Sequence, residues 1–113
     1  MKPELRTAFD REMAAAADAK SRGDLDLAFG HLERAHILGQ RHTGPHIRSH
    51  VGMLRIGWQR NDPRELIGQL TRIAAALVFS RIWVPLGNTG GANVSPIKPM
   101  PIPQDLAHML DVE

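Results

Sequence analysis

The 113-residue sequence contains no cysteine and no tyrosine. The missing cysteine excludes disulfides and every thiolate site for zinc, copper or iron–sulfur. Any metal has to be held by histidine, carboxylate and water. Three Phe and two Trp make up the aromatics, too few for a base-stacking platform. Long apolar runs are missing as well. The longest, Ile73–Phe79, falls far short of the ~18–20 residues that a membrane span needs. The N-terminal stretch MKPELRTAFDREM is charged where an export signal needs an apolar core, which points to the cytoplasm. Nor is there an excess of one charge. Fourteen Lys and Arg against twelve Asp and Glu leave a net +2, and the pI near 9.7 arises because few groups titrate just above neutrality. Nucleic acid and membrane are therefore not expected partners.

The length suits a single domain. A core this small gains from self-association or a protein partner. The hydropathy pattern is helical throughout the first three quarters of the chain. Leu5, Phe9, Met13 and Ala16 form one stripe. Arg22-Gly23-Asp24 then ends that helix and caps the next. A second helix is predicted from about Leu25 to Leu38, with Leu25, Phe29, Leu32 and His36 on one face. A third runs from about Pro45 to Gln59, with Ile47, Val51, Leu54 and Trp58 inward. Asn61-Asp62-Pro63 stops it and starts the fourth, in which Asp62 and Glu65 have capping-box spacing. That helix carries Leu66, Leu70, Ile73 and Leu77 on one face and ends before Pro85.

Shifted by 38 residues, the chain partly repeats itself. Arg22-Gly23-Asp24 falls on Arg60-Asn61-Asp62, and Gly30, Leu32 and Arg34 fall on Gly68, Leu70 and Arg72. The expected architecture is all-α, two tandem antiparallel helical hairpins over residues 1–84, loosely like tetratricopeptide repeats. Gly30 and Gly68 are expected at close helix crossings. Residues 85–113 form an extended Pro/Gly-rich tail, with Gln104–Leu110 as a last short helix. Its apolar residues Val94, Ile97, Met100 and Ile102 are expected to lie against the bundle or a partner subunit.

The segment LERAHILGQ, the pair His46 and His50 ahead of Val51-Gly52-Met53-Leu54, and the tail GNTGGANVSPIKPMPIP carry a resemblance over nearly the whole chain. On these pieces the sequence resembles a family of small bacterial proteins known only as a domain of unknown function, number 3703 in its series. The resemblance implies no activity.

Five of the six histidines fall between positions 31 and 50. His46 and His50 are four apart and share a helix face; Glu33 and His36 are three apart on the preceding helix. Folding the hairpin near residue 42 brings His36 level with residues 47–50. Glu33, His36, His46 and His50 are therefore the candidate metal ligands, a Glu-x-x-His segment facing His-x3-His, as helical bundles use. The donors suit Zn, Fe, Ni or Cu. The competing reading is a buried His36 that hydrogen-bonds to Glu33 or Gln40 as an ordinary core residue. No catalytic triad and no carboxylate pair is placed for acid–base work, so an enzyme ranks last. Gly87-Asn88-Thr89-Gly90-Gly91 lacks the flanking strand and Lys-Ser/Thr of a phosphate loop and reads as a tight turn. The alternative function is a protein–protein interaction module that uses a hairpin groove and the proline-rich tail.

Overall fold

Two short turns organise the chain, and they share one chemistry. Gly23 (φ 78°) and Asn61 (φ 59°) both take left-handed backbone, which only glycine and, less readily, asparagine tolerate. In the first turn Gly23 N–H reaches Lys20 O and Asp24 N–H reaches Ala19 O; in the second Asn61 N–H reaches Trp58 O and Asp62 N–H reaches Gly57 O. Each turn thus satisfies the last carbonyls of one helix by the Schellman pattern. The aspartate that follows caps the next helix: Asp24 accepts from Leu27 N–H and Asp62 from Glu65 N–H. The repeated Arg-x-Asp is the signature of this stop-and-start turn.

The computed structural model describes residues 1–79, 86–95 and 97–111. Its helices are α1 (Pro3–Ser21), α2 (Leu25–Gly39), α3 (Thr43–Gln59), α4 (Pro63–Phe79) and α5 (Gln104–Asp111). The protein is all-helical, with α1 paired to α2 and α3 to α4 as two hairpins, and α2 also packs on α3. Among the described residues there is no strand, and no helix is long and apolar enough to cross a membrane. The expected end of α4 before Pro85 lies outside the described residues. α3 begins at Thr43, two residues earlier than Pro45 suggested, with His42 at its N-cap.

The core has two parts. Ala16, Ala19, Ala28, Phe29, Leu32, Met53 and Ile56 fill the seam of α1, α2 and α3. Leu5, Phe9, Ala35, Ile37 and Leu38 form the other part, which Leu106 of α5 closes. The stripes expected on α1 and α2 are the buried ones. Of those expected on α3 and α4, Ile47, Val51, Leu54, Leu66 and Ile73 are only half-buried, and Trp58, Leu70 and Leu77 are exposed. α3 buries His46, Ser49, His50, Met53 and Ile56, while Trp58 is 76% exposed. α4 buries Gln69 and Ala76, while Leu70 and Leu77 are 58% and 65% exposed. The reason is hydrogen bonding: His36, Ser49, His50 and Gln69 find partners inside, so their burial carries little penalty.

The glycines expected at crossings also sort differently. A side chain at Gly30 would meet nothing within 4 Å, so no crossing depends on it. α2 and α3 instead approach at Gly52, where a Cβ would lie 2.6 Å from Leu32. At Gly68 the close neighbour is Ala92 of the tail, again 2.6 Å away.

The tail lies against the bundle in the same chain through its loop, Ile102 and α5, while Ile97, expected to pack inward, is 68% exposed. Met100 N–H bonds to Leu86 O, and the Asn88 amide donates to Ser95 O and Lys98 O. A loop pinned from inside by Asn88 results. It sits over the inner faces of α2, α3 and α4, where the histidines are.

Candidate metal centre

His36 comes from the buried C-terminal half of α2, His46 and His50 from successive turns of α3, and all three are buried. Their ring centroids are 4.6–4.9 Å apart pairwise. One donor nitrogen from each lies within 4.8 Å of the others. His46 Nε2 is 3.1 Å from His36 Nε2 and 3.1 Å from His50 Nε2.

The surroundings fix where the protons are. His36 Nδ1 is 2.7 Å from the carbonyl oxygen of Asn88. A carbonyl only accepts, so Nδ1 carries the hydrogen and Nε2 presents a bare lone pair. His50 Nδ1 is 2.6 Å from Gln69 Oε1. The Gln69 amide nitrogen donates to Gly90 O at 2.9 Å and to Glu65 Oε2 at 2.6 Å. Both partners are acceptors, which sets the amide orientation and leaves Oε1 facing His50. His50 is therefore also protonated at Nδ1 and bare at Nε2. Two lone pairs point at His46 Nε2, and a single N–H there has only one direction in which to donate. His46 Nδ1 is buried and has no partner among the described residues. The metal-free cluster thus holds more acceptors than donors, an arrangement that a cation resolves.

Electrostatics agree with neutral ligands. Burial holds His46 and His50 at about 4, the latter helped by its neighbour His46 and opposed by Gln69. Burial, then the two neighbouring rings, lowers His36 well below the usual imidazole range. Arg72, half-buried, adds a repulsive positive charge to His36 and His50. It donates to Gly68 O and to Val94 O.

Two of the three nitrogen separations lie near what a first-row metal needs, and the third pair, His36 and His50, lies within 4.8 Å. Zn–N bonds of about 2.0–2.1 Å in tetrahedral geometry need nitrogens about 3.3–3.4 Å apart. The two 3.1 Å separations reach that with a few tenths of an ångström of opening. The structure brings His36, His46 and His50 together; Glu33 is not in the converging group. Its half-buried carboxyl has a pKa raised by burial, opposed by the Thr89 hydroxyl and raised further by Glu65. On α1, Glu12 binds His31 and Arg34, and Asp18 pairs with Arg22 at the surface.

Residues 3–110 match the model of a family described as "Protein of unknown function (DUF3703)". The chain belongs to the DUF3703 family. No curated protein and no solved structure matches it.

In this DUF3703 chain, spacing alone missed Gln69, Asn88 and Gly90. Gln69 was hidden in a helix whose apolar residues suggested a different inner face. The one available signal was its place one turn after Glu65, which it contacts. Asn88 acts on His36 through its backbone, which leaves no trace in residue type. Gly90 (φ 82°) lies so near His36 that a Cβ would come within 2.6 Å of the ring; its glycine is required both by backbone and by space.

Proposed function

We propose that the chain binds one divalent transition-metal ion through Nε2 of His36, His46 and His50. The convergence of three buried Nε2 atoms, two of them held bare by hydrogen bonds at Nδ1, is the observation that carries this reading. Imidazole-only donors suit Zn²⁺, Ni²⁺, Cu²⁺ or Fe²⁺. Three protein ligands leave a fourth position for water or a carboxylate, and Glu33, one turn before His36, is the candidate that spacing supplies. The role fits metal handling: a sensor, buffer or accessory.

Calorimetric titration at pH 7 with Zn²⁺, Ni²⁺ and Cu²⁺ is the test. One ion per chain is expected, with binding weakened at least about a hundredfold in His36→Ala and His50→Ala. Binding that ignores both changes, or no binding at all, ends this reading. Glu33→Gln separates a fourth ligand from a bystander by whether affinity drops.

A second, compatible reading rests on α4. Ile67, Leu70, Ala74 and Leu77 share one helix face and all are exposed. From Leu66 to Phe79 the only charged residue is Arg72, which is engaged with the tail. An uncharged apolar stripe meets a copy of itself across a two-fold axis without repulsion. A second copy of this chain is the partner it fits, pairing α4 with α4 along about 25 Å of helix. Light scattering is expected to show a dimer that Leu70→Glu with Leu77→Glu converts to monomer. A wild-type chain that stays monomeric at high concentration rules this out.

A further inference from the structure

The loop over the histidines is tied to the bundle mainly through polar side chains around the metal centre. Gly87 N–H donates to Gln40 Oε1. Asn88 O accepts from His36, and Gly90 O accepts from Gln69, the side chain that holds His50. Ala92 N–H donates to Glu65, the carboxylate that also holds Gln69. Val94 O accepts from Arg72. Apolar contacts of 86–95 with the bundle include Gly91 facing Phe29 and Ala92 against Gly68.

We infer that residues 86–95 are a latch whose docking is coupled to occupation of the histidine centre, so that a bound metal clamps the tail onto the bundle. This rests on the metal-binding reading above. The coupling follows from the two ends of each ring. An ion at Nε2 holds the His36 ring in the tautomer that Asn88 O selects, with its Nδ1–H aimed at that oxygen. The same ion at His50 fixes an Nδ1–H aimed at Gln69 Oε1, which turns the amide nitrogen toward Gly90 O. Metal binding also withdraws electron density from the ring and strengthens both donors. Without the ion, the two lone pairs compete for one His46 N–H, and His36 and His50 are held firmly from their Nδ1 side only. Ordering each loop residue costs conformational entropy at least as large as the net gain from one neutral hydrogen bond. A segment held in this way opens readily unless its partners are fixed. Linkage makes the effect reciprocal: a loop displaced from the bundle weakens the metal by the factor by which the metal tightens the loop. Metal level is thereby converted into exposure or concealment of the tail.

Hydrogen exchange followed by mass spectrometry on the full chain tests this, with Zn²⁺ stoichiometry measured on the same sample. The amides of Gly87 and Ala92, donated to Gln40 and Glu65, report the docked loop. With one Zn²⁺ bound, exchange across 86–95 is expected to slow at least tenfold, and much more than in α1. Gly68→Ala supplies the reciprocal arm. Its new Cβ meets Ala92 at 2.6 Å and levers the loop away, on a helix whose propensity the change improves. Helicity by circular dichroism is expected to hold, while Zn²⁺ affinity falls about ten- to a hundredfold. If Zn²⁺ binds but 86–95 exchanges as before, or if Gly68→Ala exposes the loop and keeps full affinity, the latch is wrong and the metal reading stands. If no Zn²⁺ binds, both fall.

Discussion

Saturating Zn²⁺ is expected to raise the thermal midpoint of the chain by about 10 °C or more. An ion that binds only the folded state stabilises it by about 4 kcal/mol at a thousand times its dissociation constant. For a domain of this size each kcal/mol moves the midpoint by about 4 °C. The structure gives reason to expect the whole fold to respond. His36 stands on α2, His46 and His50 on α3, and Gln69 joins α4 through its bond to His50. An ion at the centre therefore holds both hairpins together. It also removes a strain of the metal-free chain, where two bare nitrogens face one His46 Nε2. Differential scanning calorimetry with and without Zn²⁺ measures the shift, with Mg²⁺ as a control that imidazole ligands bind poorly. His46→Ala is expected to abolish it. An equal shift in that variant, or an unmoved wild-type midpoint, would show that Zn²⁺ does not bind at these histidines.

The fold was legible where local rules act alone. The Arg-Gly-Asp and Arg-Asn-Asp turns identified the ends of both hairpins, because positive φ and an N-cap aspartate have residue preferences. The α1 and α2 stripes were legible because Leu5, Phe9 and Leu32 face ordinary apolar neighbours. The inner faces of α3 and α4 were not. Hydropathy ranks His50 and Gln69 as outward residues and Trp58, Leu70 and Leu77 as inward ones. The structure reverses this, since a polar side chain with its partners already inside loses little on burial. Helical spacing and the level of the hairpin still placed His36, His46 and His50 together. The Asn88 carbonyl, 52 residues from His36, had no signal at all: any residue type presents the same backbone oxygen.

Acid is expected to destabilise the metal-free chain between about pH 6.5 and pH 4. Burial holds His46 and His50 at about 4 in the folded protein and lowers His36 as well. In the unfolded chain each returns to about 6.5. Above pH 6.5 both states are neutral and nothing is lost. Inside the window the unfolded chain takes up protons that the folded one refuses, so unfolding becomes easier as pH falls. Below about pH 4 the folded His46 and His50 protonate too and add no further slope. At 1.36 kcal/mol per pKa unit, two such groups contribute on the order of 3 kcal/mol or more, a large share of a small domain's stability. Glu33, raised by burial, works in the opposite direction in the lower part of the window, and Asp105, lowered by Arg34, adds loss only below it. Urea midpoints at pH 7.5, 6.0, 5.0 and 4.0 are expected to fall steadily, and replacing His46 and His50 together by leucine is expected to flatten the curve. Stability unchanged from pH 7.5 to 5.0 would mean that the imidazoles are solvated and not buried as neutral rings. Zn²⁺ competes with protons for the same nitrogens. Its addition is expected to move the onset of unfolding to lower pH in the wild type and to leave the leucine variant where it was.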